Sequence, residues 1–158
     1  MNLKIRLAKK EDLNNLAKIY KKAYSALQIN EKWTTKKAKK LLTYWIEKQP
    51  DLFFVAENEN KLVGAFVSGI KPWWDGNHLF DGEIFVDPKY QKEGIGTQLL
   101  ITLFTKAIKK YNANTFEAST FSNIKFPLKW YNSIGIKSNK ELIFISGNLK
   151  KVLNQLRL

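Results

Sequence analysis

The sequence predicts an α/β (α+β) domain, and three observations carry that prediction. Asp81–Leu103 passes from the apolar strand-like run Glu83–Val86 to a loop with two glycines one residue apart, Gly94 and Gly96. It then enters a helix whose apolar positions Leu99, Leu100, Leu103, Phe104 and Ala107 recur at helical spacing. Leu52–Ala56 and Leu62–Ile70 are β-rich segments separated by the polar stretch Glu57–Lys61, a hairpin signature. The stretches after Asp12 and after Thr34 repeat their apolar residues with a helical period as well. At 158 residues, the chain fits one domain over residues 1–158 with enough apolar residues (44 %) to bury a core without staples.

The elements follow in order. Leu3–Leu7 alternates apolar residues with Lys4 and Arg6 and reads as an opening strand. Asp12 caps or enters a helix carrying Leu13, Leu16, Ala17, Tyr20, Ala23 and Tyr24 on one face. Ser25–Trp33 is a connection, and Thr34 or Thr35 caps a second helix with Ala38, Leu41, Leu42, Trp45 and Ile46, stopped by Pro50. After Leu62–Ile70, Lys71–Asn77 forms a turn bearing Trp73 and Trp74, and Leu79–Val86 returns as a strand. Phe85 and Val86 break strict in/out alternation, which predicts a bulge or burial on both faces at that point. Beyond the helix over Gly96–Tyr111, Thr115–Ala118 is a short strand and Phe126–Ser133 a short helix, ended by Gly135 in a left-handed conformation. Glu141–Leu149 is expected to add a last strand or two, and Lys150–Leu158 a terminal helix.

Composition excludes several classes of function. The chain has no cysteine, so disulfides, thiolate ligation and a cysteine nucleophile are out, and the single His78 argues against a zinc site. No apolar run approaches the ~20 residues of a membrane span, and MNLKIRLAKKED lacks the apolar core of a signal peptide, so a cytoplasmic protein without a membrane partner is expected. The net charge of +13 suggests nucleic acid, but all but two of the 27 cations are lysines spread over the chain. Arginine supplies the bidentate contacts that recognition surfaces favour, so nucleic acid is not the expected partner. A basic field does attract an anionic ligand.

The glycine loop is where such a ligand belongs. The first amides of a helix have no partner inside it and sit at the positive end of its dipole, and glycine lets that backbone approach an anion closely. Neither common phosphate fingerprint fits: the position three after Gly96 is Leu99, and no Gly-Lys-Ser/Thr occurs. Val86, Pro88, Gln91, Gly94 and Gly96 instead resemble, in order and spacing, the acetyl-CoA motif of the GNAT N-acetyltransferase superfamily. The likeness extends along nearly the whole chain. An Asp12-Leu13-x-x-Leu16 helix start follows the first strand, and Gly64 follows Val63 on the third. Asn123 and Trp130–Ile136 resemble the family's tail, departing at Ile136, where an aromatic is usual, and at Pro127.

That resemblance implies a mixed, mostly antiparallel sheet splayed between its fourth and fifth strands and flanked by helices, with acetyl-CoA as co-substrate and no metal. Phe85 and Val86 would offer backbone to the pantetheine arm, and Gln91, Lys92, Glu93, Gly94, Ile95, Gly96 and Thr97 would hold the pyrophosphate. Asp87 and Glu93 must then point away or be balanced, with Lys89 and Lys92 at hand; Asn123 either bonds the cofactor arm or is a turn residue. The implied reaction is direct attack of a primary amine on the thioester. For the acid, the resemblance points to Tyr131, four residues before Gly135; the alternative is a core tyrosine beside Trp130. For the base, Glu83 comes first, with Asp81 and Glu117 in reserve; a salt-bridged strand residue is the other reading. Tyr24, Leu27, Trp33 and Tyr44 lie on the helix pair and its connection, which cover the acceptor in the family, and Trp73, Trp74 and Asp81 are further substrate candidates; ordinary packing is their other reading. The strong positive charge mildly disfavours polycationic acceptors unless Asp75, Asp81 and Glu83 gather into an acidic pocket. A small-molecule or protein amine is the expected partner, and a dimer is left open. The rival readings are a non-catalytic acyl-CoA sensor and a basic protein associated with nucleic acid or ribosomes.

Overall fold

The computed structural model describes residues 2–157, which divide into two compact units, one ending at Ala118 and the other beginning at Ser119. The first unit is a five-stranded sheet in the order β1-β2-β3-β4-β5, with helices on both faces. Its strands are β1 (Leu3–Leu7), β2 (Phe53–Asn58), β3 (Lys61–Trp73), β4 (Gly76–Val86) and β5 (Ala113–Glu117). The first four pair antiparallel, and β5 runs parallel to β4. The parallel pairing stops at Phe80–Glu117, so the half of β4 from Asp81 to Val86 has no strand partner on that side among the described residues. This is the splayed sheet expected from the sequence.

Helices α1 (Leu13–Ala26) and α2 (Thr35–Lys48) cover one face. Leu16, Ala17, Tyr20 and Ala23 of α1 and Ala38, Leu42, Trp45 and Ile46 of α2 pack with Phe53, Val55, Ala65, Val67 and Phe85 in one buried cluster. Each fully buried leucine there contributes about 1.5–3 kcal/mol relative to exposure. Thr34 caps α2 by accepting from the Lys37 amide at 3.2 Å. Asp12 stands at the start of α1, but its carboxylate accepts from Arg6 and from the Lys9 amide instead of capping the helix. The other face carries α3 (Ile95–Tyr111), with Ile95, Leu99, Leu100, Leu103 and Ala107 buried and Phe104 against Phe66 and Phe116. Asn112, left-handed at φ 50°, ends α3 and turns the chain into β5.

Three expectations need correction. The β3–β4 hairpin is tighter than the sequence suggests. Its strands run to Trp73 and from Gly76, leaving a two-residue loop, Trp74-Asp75, so Trp73 is a strand residue. The bulge predicted at Phe85-Val86 lies instead at Asp81-Gly82, opposite Ser68, where the pairing shifts between Val67–Glu83 and Gly69–Phe80. Phe85 is buried and Val86 partly exposed, so alternation holds there. In the second unit, α4 (Lys125–Ser133) ends with Gly135 at φ 91°, and α5 (Leu149–Leu156) is capped by Asn148. No strand forms over residues 141–148, because no other segment pairs with this apolar stretch among the described residues.

Candidate active site

The bulge in β4 sets the site. Asp81 takes φ 57° and Gly82 φ 126°, and the Ser68 hydroxyl donates to the Asp81 carbonyl at 2.7 Å. Two residues of β4 thus oppose one of β3, which re-phases the strand beyond that point. Glu83 and Phe85 consequently face α1. The phenol of Tyr20 donates to Glu83 Oε2 at 2.9 Å, and that of Tyr24 donates to the same oxygen at 2.8 Å. The two rings stack at 4.2 Å, Trp33 meets Tyr20 edge-on at 5.0 Å, and Phe85 closes the far side at 5.1 Å. Burial among these rings pushes the Glu83 carboxyl up to about 7. The two phenols oppose that rise, while the charges of Asp81 and Glu31 add to it. A carboxyl at that position can take a proton from an amine near neutral pH.

Glu31, exposed at its surface, accepts from the Trp33 indole at 2.6 Å. Glu31, Asp81 and Glu83 therefore form a locally acidic group on a strongly basic chain. Asp75, the other expected contributor, is elsewhere: it holds His78 Nε2 at 2.8 Å at the hairpin end. Trp73 and Trp74 belong to that end too, roughly 20 Å from Glu83 by strand rise. Glu117, a reserve base, is also there, 3.2 Å from His78 Nδ1. Tyr44 stacks edge-on with Trp45 and is half-exposed, with Lys48 donating to its hydroxyl.

The glycine loop follows directly from β4. Asp87 accepts both Lys22 Nζ contacts (2.6 and 2.8 Å) and the Lys89 amide, so its charge is neutralised locally. Gln91 donates its side-chain amide to the Val86 carbonyl at 3.0 Å, pinning the loop to the strand end. Lys92 (φ 67°) and Gly94 (φ 79°) turn the backbone into α3, and Glu93 lies exposed between them. The first bond of α3 runs from the Gln98 amide to the Gly94 carbonyl. The amides of Ile95, Gly96 and Thr97 thus have no acceptor within the helix. Ile95 is buried and anchors the turn, while nothing lies within 4 Å of where a Gly94 Cβ would be. Open amides at a helix start beside a clear surface fit a diphosphate.

The sequence pattern of the acetyltransferase (GNAT) family matches residues 13–131, which takes in the α1 tyrosines, β4 and the loop. The chain belongs to that family. It is 32 % identical over 146 residues, 88 % of its length, to an uncharacterised N-acetyltransferase of Methanocaldococcus jannaschii. It is also 28 % identical over 90 residues, 54 % of its length, to the spermine/spermidine N(1)-acetyltransferase of Bacillus subtilis. These alignments span 62 % and 59 % of the two relatives, so the chain matches about three fifths of their length. Among solved structures, the PaiA N-acetyltransferase of Thermoplasma acidophilum, in complex with coenzyme A, superposes with TM-score 0.70 at 21 % identity, covering 85 % of this chain and 89 % of that one. That likeness bears on the GNAT fold.

The two remaining expected residues of the GNAT tail lie in the second unit. Asn123 is in the turn before α4. Tyr131 is half-buried on α4 with its ring 5.1 Å from that of Trp130, and its carbonyl accepts from the Ile136 amide. Tyr20 and Glu31 were absent from the sequence-based site. The spacing of Tyr20 and Tyr24 by four, two phenols on one helical stripe, is the signal that could have found Tyr20. Nothing local marks Glu31.

Proposed function

We propose that the chain is an acetyl-CoA-dependent N-acetyltransferase acting on a small cationic amine. The observation that carries this reading is Glu83: a carboxyl raised to about 7, held by two phenols, on the strand that leads into a phosphate-competent glycine loop. In the reaction the neutral amine nitrogen forms a bond to the acyl carbon, the carbon–sulfur bond breaks, and sulfur leaves with the electron pair. Glu83 takes the proton that the nitrogen sheds, directly or through one water. Asp87 backbone donation to Val63 closes the ladder at the strand end, and Phe85 and Val86 just before it offer backbone to the amide-bearing arm of coenzyme A. The amides of Ile95, Gly96 and Thr97, with Gln91, Lys92, Glu93 and Gly94 shaping the turn, receive its diphosphate. The role of Tyr131 as acid to the leaving thiolate rests on its place in the sequence, as does that of Asn123.

Glu31, Asp81 and Glu83 favour an acceptor carrying a second positive charge, with Tyr24 and Trp33 as its walls. The spermine/spermidine specificity named for the Bacillus relative agrees with that charge class. The test begins with thermal unfolding with and without acetyl-CoA, with ATP and NAD as controls. A ligand at a hundred times its Kd adds about 2.7 kcal/mol, enough to shift the midpoint visibly. Thiol release is then followed with spermidine, an aminoglycoside and a neutral amine. Stabilisation by acetyl-CoA alone and faster release with the polycations is expected. Stabilisation without release from any amine would favour the sensor reading, and no stabilisation would remove the acetyl-CoA reading.

A further inference from the structure

Tyr20 is 1 % exposed, stacked on Tyr24 and edged by Trp33 and Phe85. A buried phenol needs an acceptor, and its acceptor is the one carboxyl on which the proposed reaction turns. Tyr24, one helical turn later, donates to the same atom. Two donors on a single oxygen fix the plane of a carboxyl that one donor would leave free to swing. Burial, first, and the neighbouring charges raise the pKa of both phenols far above the working range, so they stay protonated and serve as donors. Its burial keeps Tyr20 from touching a substrate.

We infer that Tyr20 is a positioning residue for acyl transfer: with Tyr24 it holds Oε2 of Glu83, and so assigns Oε1 as the oxygen that takes the amine's proton. The inference rests on the reading of Glu83 as the base. The hydroxyl, not the ring, carries the role, so removing the hydroxyl alone separates positioning from packing.

The experiment compares pH profiles of kcat and kcat/KM for wild type, Tyr20→Phe and Glu83→Gln, with spermidine as the acceptor probe. Tyr20→Phe is expected to lower kcat about tenfold while KM for acetyl-CoA stays put. Its acid limb should move to higher pH by about one unit, because a donor to the carboxylate has been removed. Glu83→Gln should abolish the acid limb. An unmoved limb in Tyr20→Phe, with the limb lost in Glu83→Gln, would overturn the positioning role and leave the base standing. A Glu83→Gln profile like that of wild type would instead remove the base itself. Should Tyr20→Phe fail to fold, 3-fluorotyrosine incorporated into a Tyr24→Phe background keeps the shape and strengthens the donor. The limb then moves to lower pH than in unlabelled Tyr24→Phe if the inference holds, and stays if it does not.

Discussion

The backbone of Gly82 lies so close to Val67 that a Cβ on it would stand 2.1 Å from the Val67 carbonyl oxygen. Its φ of 126° excludes side chains on conformational grounds as well. Gly82→Ala therefore has to open the β3–β4 bulge, at a cost of about 2–4 kcal/mol in unfolding free energy. Urea titration reads that loss. Because the bulge phases Glu83 toward α1, the same variant should lose transfer activity at temperatures where it is still folded.

Glu83 ties activity and stability to pH in opposite directions. Its carboxyl is raised from 4.5 to about 7, so, with Glu83 as the proposed base, rate should climb as pH passes through about 7 and the carboxyl ionises. The folded protein favours the protonated form. The stability this contributes is complete below 4.5 and is lost as pH rises through about 7. Glu83→Gln should accordingly be much slower, with its residual rate no longer rising through that window, yet gain stability relative to wild type as pH is raised across it. Paired denaturation curves at several pH values check the sign.

Two tryptophans with similar credentials in the sequence should behave differently. Trp33 meets Tyr20 and Tyr24 beside Glu83, whereas Trp74 is 87 % exposed in the hairpin loop. Trp33→Ala is expected to raise KM for a polycationic acceptor about tenfold or more, and Trp74→Ala to leave it within about twofold. Steady-state kinetics with spermidine decides between them.

His78 offers a second pH dependence, separate from the proposed acyl-transfer site. It is 3 % exposed, with Asp75 on Nε2 and Glu117 3.2 Å from Nδ1, although the latter contact is too poorly aimed to count as a hydrogen bond. Burial disfavours the imidazolium, but Glu117 and Asp75 outweigh it and the pKa is raised. Its stabilisation is thus complete below the unfolded value of 6.5 and fades as pH rises through the higher folded value. His78→Gln should flatten that part of the stability profile without changing KM for acetyl-CoA.

Local chemistry made much of the fold readable. The Leu3–Leu7 alternation, the Thr34 cap, the Gly94 turn into a helix and the Gly135 stop are each dictated by residues in or beside the element. The splayed sheet came from the resemblance carried by Val86–Gly96, not from any periodicity. The bulge was harder. Leu79–Val86 reads as one continuous strand, and only the Ser68 hydroxyl and Val67 carbonyl on the neighbouring strand show that Asp81-Gly82 forms a bulge within it. Tyr20 stands in the sequence only as one residue of the α1 face, because its partner is 63 positions away and which aromatic on a stripe reaches a carboxyl depends on strand phase. Trp73 and Trp74 were grouped with the acceptor because a hairpin's length, and so the distance of its tip, is not written in its turn residues.

The early end of the β4–β5 pairing has a further consequence. Past Phe80 that side of β4 has no strand partner among the described residues, so its backbone groups present an unfinished ladder, the kind of edge along which protein chains add to one another. A linear, amide-bearing ligand laid there would serve as a stand-in strand. Binding would then complete secondary structure rather than fill a hole, and should register as slowed amide exchange along Glu83–Val86 and as a lower tendency of the loaded protein to aggregate.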